Sequence, residues 1–234
     1  MKTAVMLAAY RLADAGSLEL DQPVLVHDGF ASAAPGAPPY TMNRDDDSDQ
    51  AVWERMGQEV PLRWLIRRMI VRSSNLATNL VLEQVGFPAV AAAWKAVGAV
   101  RSSVRRGIED TAAHQAGITN WVTAADLAAL LTGIVTGQGP DGPVASPESC
   151  AHMRDVLLAQ ELNVCLPQGL PEGTPIAHKS GWVEGVRHGS GVVFPPDAPP
   201  YVLVVCTTTG QPDQRMTSLL ARIAAASWSD RHHL

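Results

Sequence analysis

The chain has 234 residues, of which 46% are hydrophobic, 18% charged and 5% aromatic; that balance describes one globular domain or two closely joined lobes and excludes a disordered or fibrous chain. Eighteen Lys and Arg against 23 Asp and Glu leave a formal net charge of −5, so the basic surplus that a nucleic-acid binder turns toward phosphates is missing and a small-molecule partner fits better. No apolar run reaches the roughly eighteen residues needed to cross a bilayer. Cys150, Cys165 and Cys206, odd in number and without close metal-ligand spacing, read as core or loop thiols.

Met1 to Gly16 reads MKTAVMLAAYRLADAG. A basic residue, an apolar stretch and Ala13-Asp14-Ala15 imitate an export signal, but Arg11 interrupts the apolar segment, while Val5, Met6, Ala9, Leu12 and Ala13 recur at helical spacing and Gly16 supplies a stop. The expectation is a buried amphipathic helix, entered without a cap residue or a preceding loop, as in a fragment; no compartment is readable from it. SLELDQPV then alternates as an extended segment. Ala31 to Tyr40 are rich in Pro, Ala and Gly, and Asn43 to Asp49 are acidic, which together predict a surface excursion, with a metal site as the weaker reading of the acids.

From Val60 the helical period returns, with Leu62, Leu65, Ile66 and Met69 on one face, a polar Ser73-Ser74-Asn75 step and a stop at Gly86. Further helices are predicted over Phe87–Val97, Thr123–Val135 with a Thr cap, and Pro147–Leu158. Later the pattern changes to β-rich runs at Gly191–Phe194 and Tyr201–Thr208, and LLARIAAASW closes the chain as a helix able to cover a sheet. Helices first and antiparallel strands late predict an α+β fold: a single domain with an all-α lobe over about residues 1–170 and the strands and last helix of an α/β lobe over about 171–234.

Two short motifs in this layout carry chemistry. Ser73-Ser74-Asn75 is S-x-N at a helix junction, and Lys179-Ser180-Gly181 is K-[ST]-G at the start of a strand. Singly, turn hydrogen bonding explains the first and an exposed strand-end cation the second. In this order and spacing, and with flanks running from KTAVMLAAYRLADAG through SSNLATNL to AHKSG and the strand ending in TTTG, the chain resembles the penicillin-recognising serine hydrolases, most closely the class A β-lactamase family. By that resemblance Ser73 and Asn75 are the ends of an SDN-type element with Ser74 in place of Asp, Asn79 follows the family pattern, and Lys179, Ser180 and Gly181 form a KTG-type element. Lys2 matches the lysine of SxxK, which puts the nucleophilic serine two positions before Met1. None of Lys2, Lys95 and Lys179 has a serine at the required spacing within the sequence. The family's N-terminal helix and first strands are likewise expected to be missing.

The resemblance implies acyl transfer without metal or organic cofactor. Lys2 serves as the base for a serine hydroxyl, its pKa lowered by burial and by Lys179. Ser73 relays a proton to the leaving nitrogen and Asn75 orients the substrate side-chain amide. Lys179 and Ser180 hold the substrate carboxylate, and the backbone N–H of Trp182, after Gly181, forms half of an oxyanion hole. Glu109, in RRGIEDTAAH, is the candidate for activating the deacylating water, with Asp110 as its rival and pairing with Arg105 or Arg106 as the plain alternative; the family's E-x-x-L-N is not reproduced. Glu161-Leu162-Asn163 lies too close before KSG to serve.

Trp182 to Ser190 reads as a long loop, in which Arg187 is a candidate second ligand for the carboxylate and His188 a hydrogen-bonding residue; the family's arginine aligns with Ser190. The reading is therefore a β-lactam-hydrolysing enzyme acting on a small-molecule substrate, with no nucleic-acid partner or membrane span, expected to be a monomer and inactive as a 234-residue chain. The alternatives are a related esterase or D,D-peptidase, or a non-enzymatic remnant that only binds ligands.

Overall fold

The structure is a computed structural model that describes residues 1–234. Helix α1 (Lys2–Asp14) is buried from Thr3 to Tyr10. Its small Ala4, Ala8 and Ala9 allow close approach, and Val5, Met6 and Leu7 fill the space against the other helices. It ends where Gly16 N–H and Ser17 N–H close onto Ala13 and Leu12 carbonyls, as the sequence anticipates. The extended segment expected after it shrinks to β1 (Pro23–Leu25), since Ser17–Gln22 is turn and coil.

Two small antiparallel pairs follow: β2 (Gly29–Phe30) with β3 (Tyr40–Thr41), and β1 with β4 (Glu59–Pro61). Between β3 and β4 lie a 3-10 turn at Arg44–Asp46 and the short α2 (Gln50–Trp53). The acidic run is not the plain surface excursion its composition suggests. Asp47 and Asp49 are 6% and 2% exposed, because Arg68 ion-pairs with Asp49 and the start of a later helix seats on Asp47.

Helix α3 (Leu62–Val71) buries the expected face, and α4 (Asn75–Ala96) forms the centre of the larger core with Leu76, Leu80 and Val81. Gly86 is non-helical at φ 73° and ψ 154°, a conformation open to glycine and not to side-chain-bearing residues, so α4 is two helices meeting at the predicted stop. By length and hydropathy its 22 residues would suffice to cross a membrane, contrary to the reading from apolar runs; 56% of its most apolar window is buried within the protein, and it is a core helix here.

The short α5 (Thr111–Gln115) precedes α6 (Ala124–Thr136), whose first turn is capped by the Thr123 hydroxyl. A two-residue-per-strand hairpin, β5 (Gln138–Gly139) and β6 (Gly142–Pro143), leads to α7 (Pro147–Leu158).

The main sheet is antiparallel in the order β7-β8-β9, with β7 (Ile176–Val183) at one edge, β8 (Val186–Val193) central and β9 (Tyr201–Thr208). Side chains alternate between its faces. Ala177, Val192, Val202 and Val204 join the helical core on the face that α6 and α7 cover, while Ile176, Val193 and Tyr201 form a second core with Leu220 of α8 (Asp213–Ser229). The protein is thus α+β. The predicted long loop at Trp182–Ser190 is instead the tip of a paired hairpin, Val183 facing Val186 across a two-residue turn; Gly185 supplies its left-handed residue at φ 73°. Lys179 accordingly sits within a strand and not at its start.

Candidate active site

Between α3 and α4 the chain must reverse in three residues. Ser73 takes the left-handed conformation, φ 59°, and Ser74 then caps α4 by accepting the Ala77 N–H at 3.1 Å. The turn meets the start of α1. Lys2 Nζ lies 2.5 Å from the Ser73 carbonyl, 2.9 Å from Asn75 Oδ1 and 3.3 Å from both Ser73 Oγ and the Ser74 carbonyl. Burial, then the positive charge of Lys179, hold the Lys2 pKa well below the usual lysine value, with Asp47 pulling the other way. A lysine so placed can present a lone pair or a proton to the Ser73 hydroxyl.

Lys179 is 8% exposed, and burial pushes its pKa down to about 8. Its Nζ donates to the Ser180 carbonyl at 2.5 Å, and its own carbonyl accepts from Ser190 Oγ at 3.0 Å. Strand β7 is an edge strand, so alternate backbone N–H groups on its outer side have no partner within the sheet. Its side chains pass from buried at Ile176–Lys179 to exposed at Gly181–Val183, with Trp182 67% exposed.

Lys179 pairs with Ser190 and Ser180 with Gly189, and a Cβ on Gly189 would meet Leu166 and Leu220 on the α8 side. By alternation, Ser180 and Arg187 share the α8 face and Lys179 faces the helices. Arg187 is engaged there, ion-paired with Asp213 at 3.0 Å and 5.8 Å from the Trp182 ring centroid. His188 accepts the Thr207 N–H through Nδ1 at 3.2 Å and its pKa is lowered by burial, which makes it a strand hydrogen-bonder.

Glu109 has a left-handed backbone, φ 64°. Its Oε2 accepts the Asn43 N–H at 2.7 Å, while Oε1 is buried without a partner. Burial raises its pKa, the Asn43 bond opposes that, and Asp46 and Asp47 add to it. Its partner is backbone, not Arg105 or Arg106. The neighbouring Asp110 is fully occupied, accepting from Ser32 Oγ, Ala33 N–H and Ala113 N–H, and those bonds outweigh burial and lower its pKa.

Asn79 clamps this segment to α4, with Oδ1 accepting the Ile108 N–H at 2.7 Å and Nδ2 donating to the Ile108 carbonyl at 3.0 Å. Glu161, in the ELN stretch, ion-pairs with Arg72 at 3.0 Å and donates its N–H to the Val71 carbonyl, close to the Ser73 turn but engaged structurally. No group of three or more His, Cys, Asp or Glu is arranged to hold a metal ion. The residue that sequence reading missed is Asp47. Nothing in an acidic run distinguishes the one member that turns inward, and only the empty acidic position at Ser74 hints at a carboxylate from elsewhere.

Comparison with known proteins bears on this arrangement. A family model described as the beta-lactamase enzyme family matches residues 1–230. A beta-lactamase of Streptomyces lavendulae is 28% identical over 177 residues, covering 74% of this chain and 56% of that protein; the chain thus spans about half the length of this curated relative. Among solved structures, a beta-lactamase from Sphaerobacter thermophilus superposes with a TM-score of 0.79 at 24% identity, covering 100% of this chain and 82% of that one. PBP-A, in a mutant solved as an acyl-enzyme complex with penicillin G, gives 0.76 at 22% identity over 98% of this chain and 80% of that one. At such identities these two structures establish the shared fold.

Proposed function

Because this chain belongs to the beta-lactamase enzyme family, we propose that its site is built for serine-dependent opening of the β-lactam amide through an acyl-enzyme. The observation that carries the reading is the contact of Lys2 Nζ with Ser73 Oγ and Asn75 Oδ1, with the pKa values of Lys2 and Lys179 both lowered. A depressed lysine accepts the proton of an attacking hydroxyl. Ser73 passes a proton to the departing ring nitrogen, and Asn75 orients the substrate's side-chain amide. Lys179 and Ser180 hold the carboxylate, Arg187 being a weaker second cation because Asp213 already engages it. The Trp182 N–H past Gly181 on the edge strand serves the oxyanion. Glu109, raised in pKa and with one free oxygen, activates the deacylating water.

The hydroxyl that attacks is not among the 234 residues; the SxxK register puts it two positions before Met1. We therefore expect the chain as it stands to give no stoichiometric penicillin adduct in intact-mass spectrometry, and a version carrying a serine at that upstream position to turn over a chromogenic cephalosporin. An adduct on the unextended chain, or an extended chain that never acylates, overturns the reading. A related esterase or D,D-peptidase is favoured by one feature, RRGIEDTAAH without E-x-x-L-N; an extended chain that acylates once and does not turn over supports it.

A further inference from the structure

The middle position of Ser73-Ser74-Asn75 carries a hydroxyl where the motif it resembles carries a carboxylate. That carboxylate is nonetheless present in space. Asp47 Oδ2 accepts from Ser74 Oγ at 3.0 Å and from the Leu76 N–H at 2.8 Å, and Oδ1 accepts the Asn75 N–H at 3.1 Å. Two further donors fix it: Trp53 Nε1 at 3.2 Å and the Asp49 N–H at 3.1 Å. Asp47 is 6% exposed and Ser74 fully buried. We propose that Asp47, from the segment before α2, supplies in place the acid that residue 74 lacks, and is the positioning residue that holds the left-handed Ser73 turn and Asn75 beneath Lys2.

An anion at a helix N-terminus satisfies orphan backbone donors and meets the positive end of the helix dipole, so Asp47 anchors the first turn of α4. Three of the four acceptors around Lys2 Nζ belong to Ser73 and Ser74, and the fourth is Asn75 Oδ1. Fixing this turn therefore fixes the lysine's whole acceptor set. Asp47 is also the one carboxylate acting on Lys2, opposing the charge of Lys179 on β7; the α-amino group of Met1, the other basic group beside it, has its pKa lowered by burial to about 5.

This assignment rests on reading Lys2, Ser73 and Asn75 as the site, but its test needs no substrate. The chain has three lysines, Lys2, Lys95 and Lys179, so isotope-labelled lysine Cε resonances give three signals, assigned with K95R. In Asp47→Asn the Lys2 titration midpoint is expected to fall by about one pH unit, a tenfold change in its protonation constant, with Lys95 unmoved. Adding Ser74→Asp to that variant, which moves the acid to the position the motif expects, should return the Lys2 midpoint toward the wild-type value and restore hydrogen-exchange protection at Asn75 and Leu76.

A folded D47N protein whose Lys2 midpoint stays at the wild-type value overturns the proposal, since a purely structural cap would lower thermal stability without moving that lysine. If D47N does not fold, the double variant decides: refolding with a wild-type Lys2 midpoint supports the assignment, and a double variant that stays unfolded or has a displaced midpoint overturns it. Failure of the extended chain to acylate would leave all of these readouts standing, so the two readings fail separately.

Discussion

The turn under Lys2 and the tip of the β7–β8 hairpin, to which the proposed function assigns proton transfer and ligand holding, are built on opposite principles. The turn is fixed from three directions: α1 brings Lys2, the acidic segment brings Asp47, and α4 begins on Ser74, with Asp47 and Ser74 nearly or fully buried. The hairpin tip is an edge strand, exposed from Gly181 to Val183, with one cation–π contact and one ion pair. Proton transfer tolerates errors of only a fraction of an ångström, and the residues assigned to it stand where every group is over-determined. Ligand holding needs access, and the residues assigned to it stand where strand becomes solvent. The border passes between Lys179 and Ser180.

Breaking the buried side should cost most. In a chain extended by the upstream serine, Ser73→Ala is expected to lower acylation by about 10²- to 10⁴-fold, the range for losing a positioned proton donor, read as the burst rate with a chromogenic cephalosporin. Asn79→Ala removes both bonds to Ile108 and should destabilise the fold by roughly 2–3 kcal/mol, measured by urea denaturation. It should also slow deacylation more than acylation, because Glu109 follows Ile108 directly.

The buried half of β7 has its own pH signature. His178 is 2% exposed, and burial, then Lys179, lower its pKa to about 4 from 6.5. The unfolded chain then binds a proton that the folded chain refuses, so stability is full above pH 6.5 and falls as pH drops toward 4, by on the order of 3 kcal/mol. His178→Asn should flatten most of that window, leaving the slope from His188, whose pKa burial also lowers, opposed by Glu109, whose pKa burial raises. The Asp14, Asp110 and Asp126 carboxylates, lowered in pKa, lose their stabilisation only at more acidic pH. The smallest effect belongs to the open side: Trp182→Ala removes an exposed ring stacked on Arg187 and should change stability by about 0.5 kcal/mol. A loss several times larger would show the hairpin tip to be as rigid as the turn.

Sequence patterning reached the parts of the fold that depend on local spacing. It reached α1 with its stop, the break of α4 at Gly86, the Thr123 cap of α6, the full extent of α7, and β9. The expectation that Lys2, Ser73 and Lys179 converge came from the family resemblance and not from patterning; Lys2 Nζ lies 3.3 Å from Ser73 Oγ, and the charge of Lys179 acts on Lys2. What patterning missed depends on partners distant in sequence. Asp47 and Asp49 look like solvated acids until Arg68 and the start of α4 fold onto them. Composition cannot reveal burial that a partner two dozen residues away compensates. The hairpin tip was a different failure. Val183-Glu184-Gly185-Val186 carries a two-residue turn with glycine between β-branched residues, but the charges at Glu184, Arg187 and His188 made it resemble a loop.

The left-handed backbone at Ser73 bears on which variants natural sequences can explore. Threonine offers the same hydroxyl, yet its branched β-carbon fits poorly at φ 59°, so the turn accepts serine and rejects its closest chemical substitute. Ser180, on an extended strand, is under no such restriction, and threonine there suits the pleat. These two hydroxyls thus have unequal freedom to drift, one locked by the shape of the main chain and the other open to exchange.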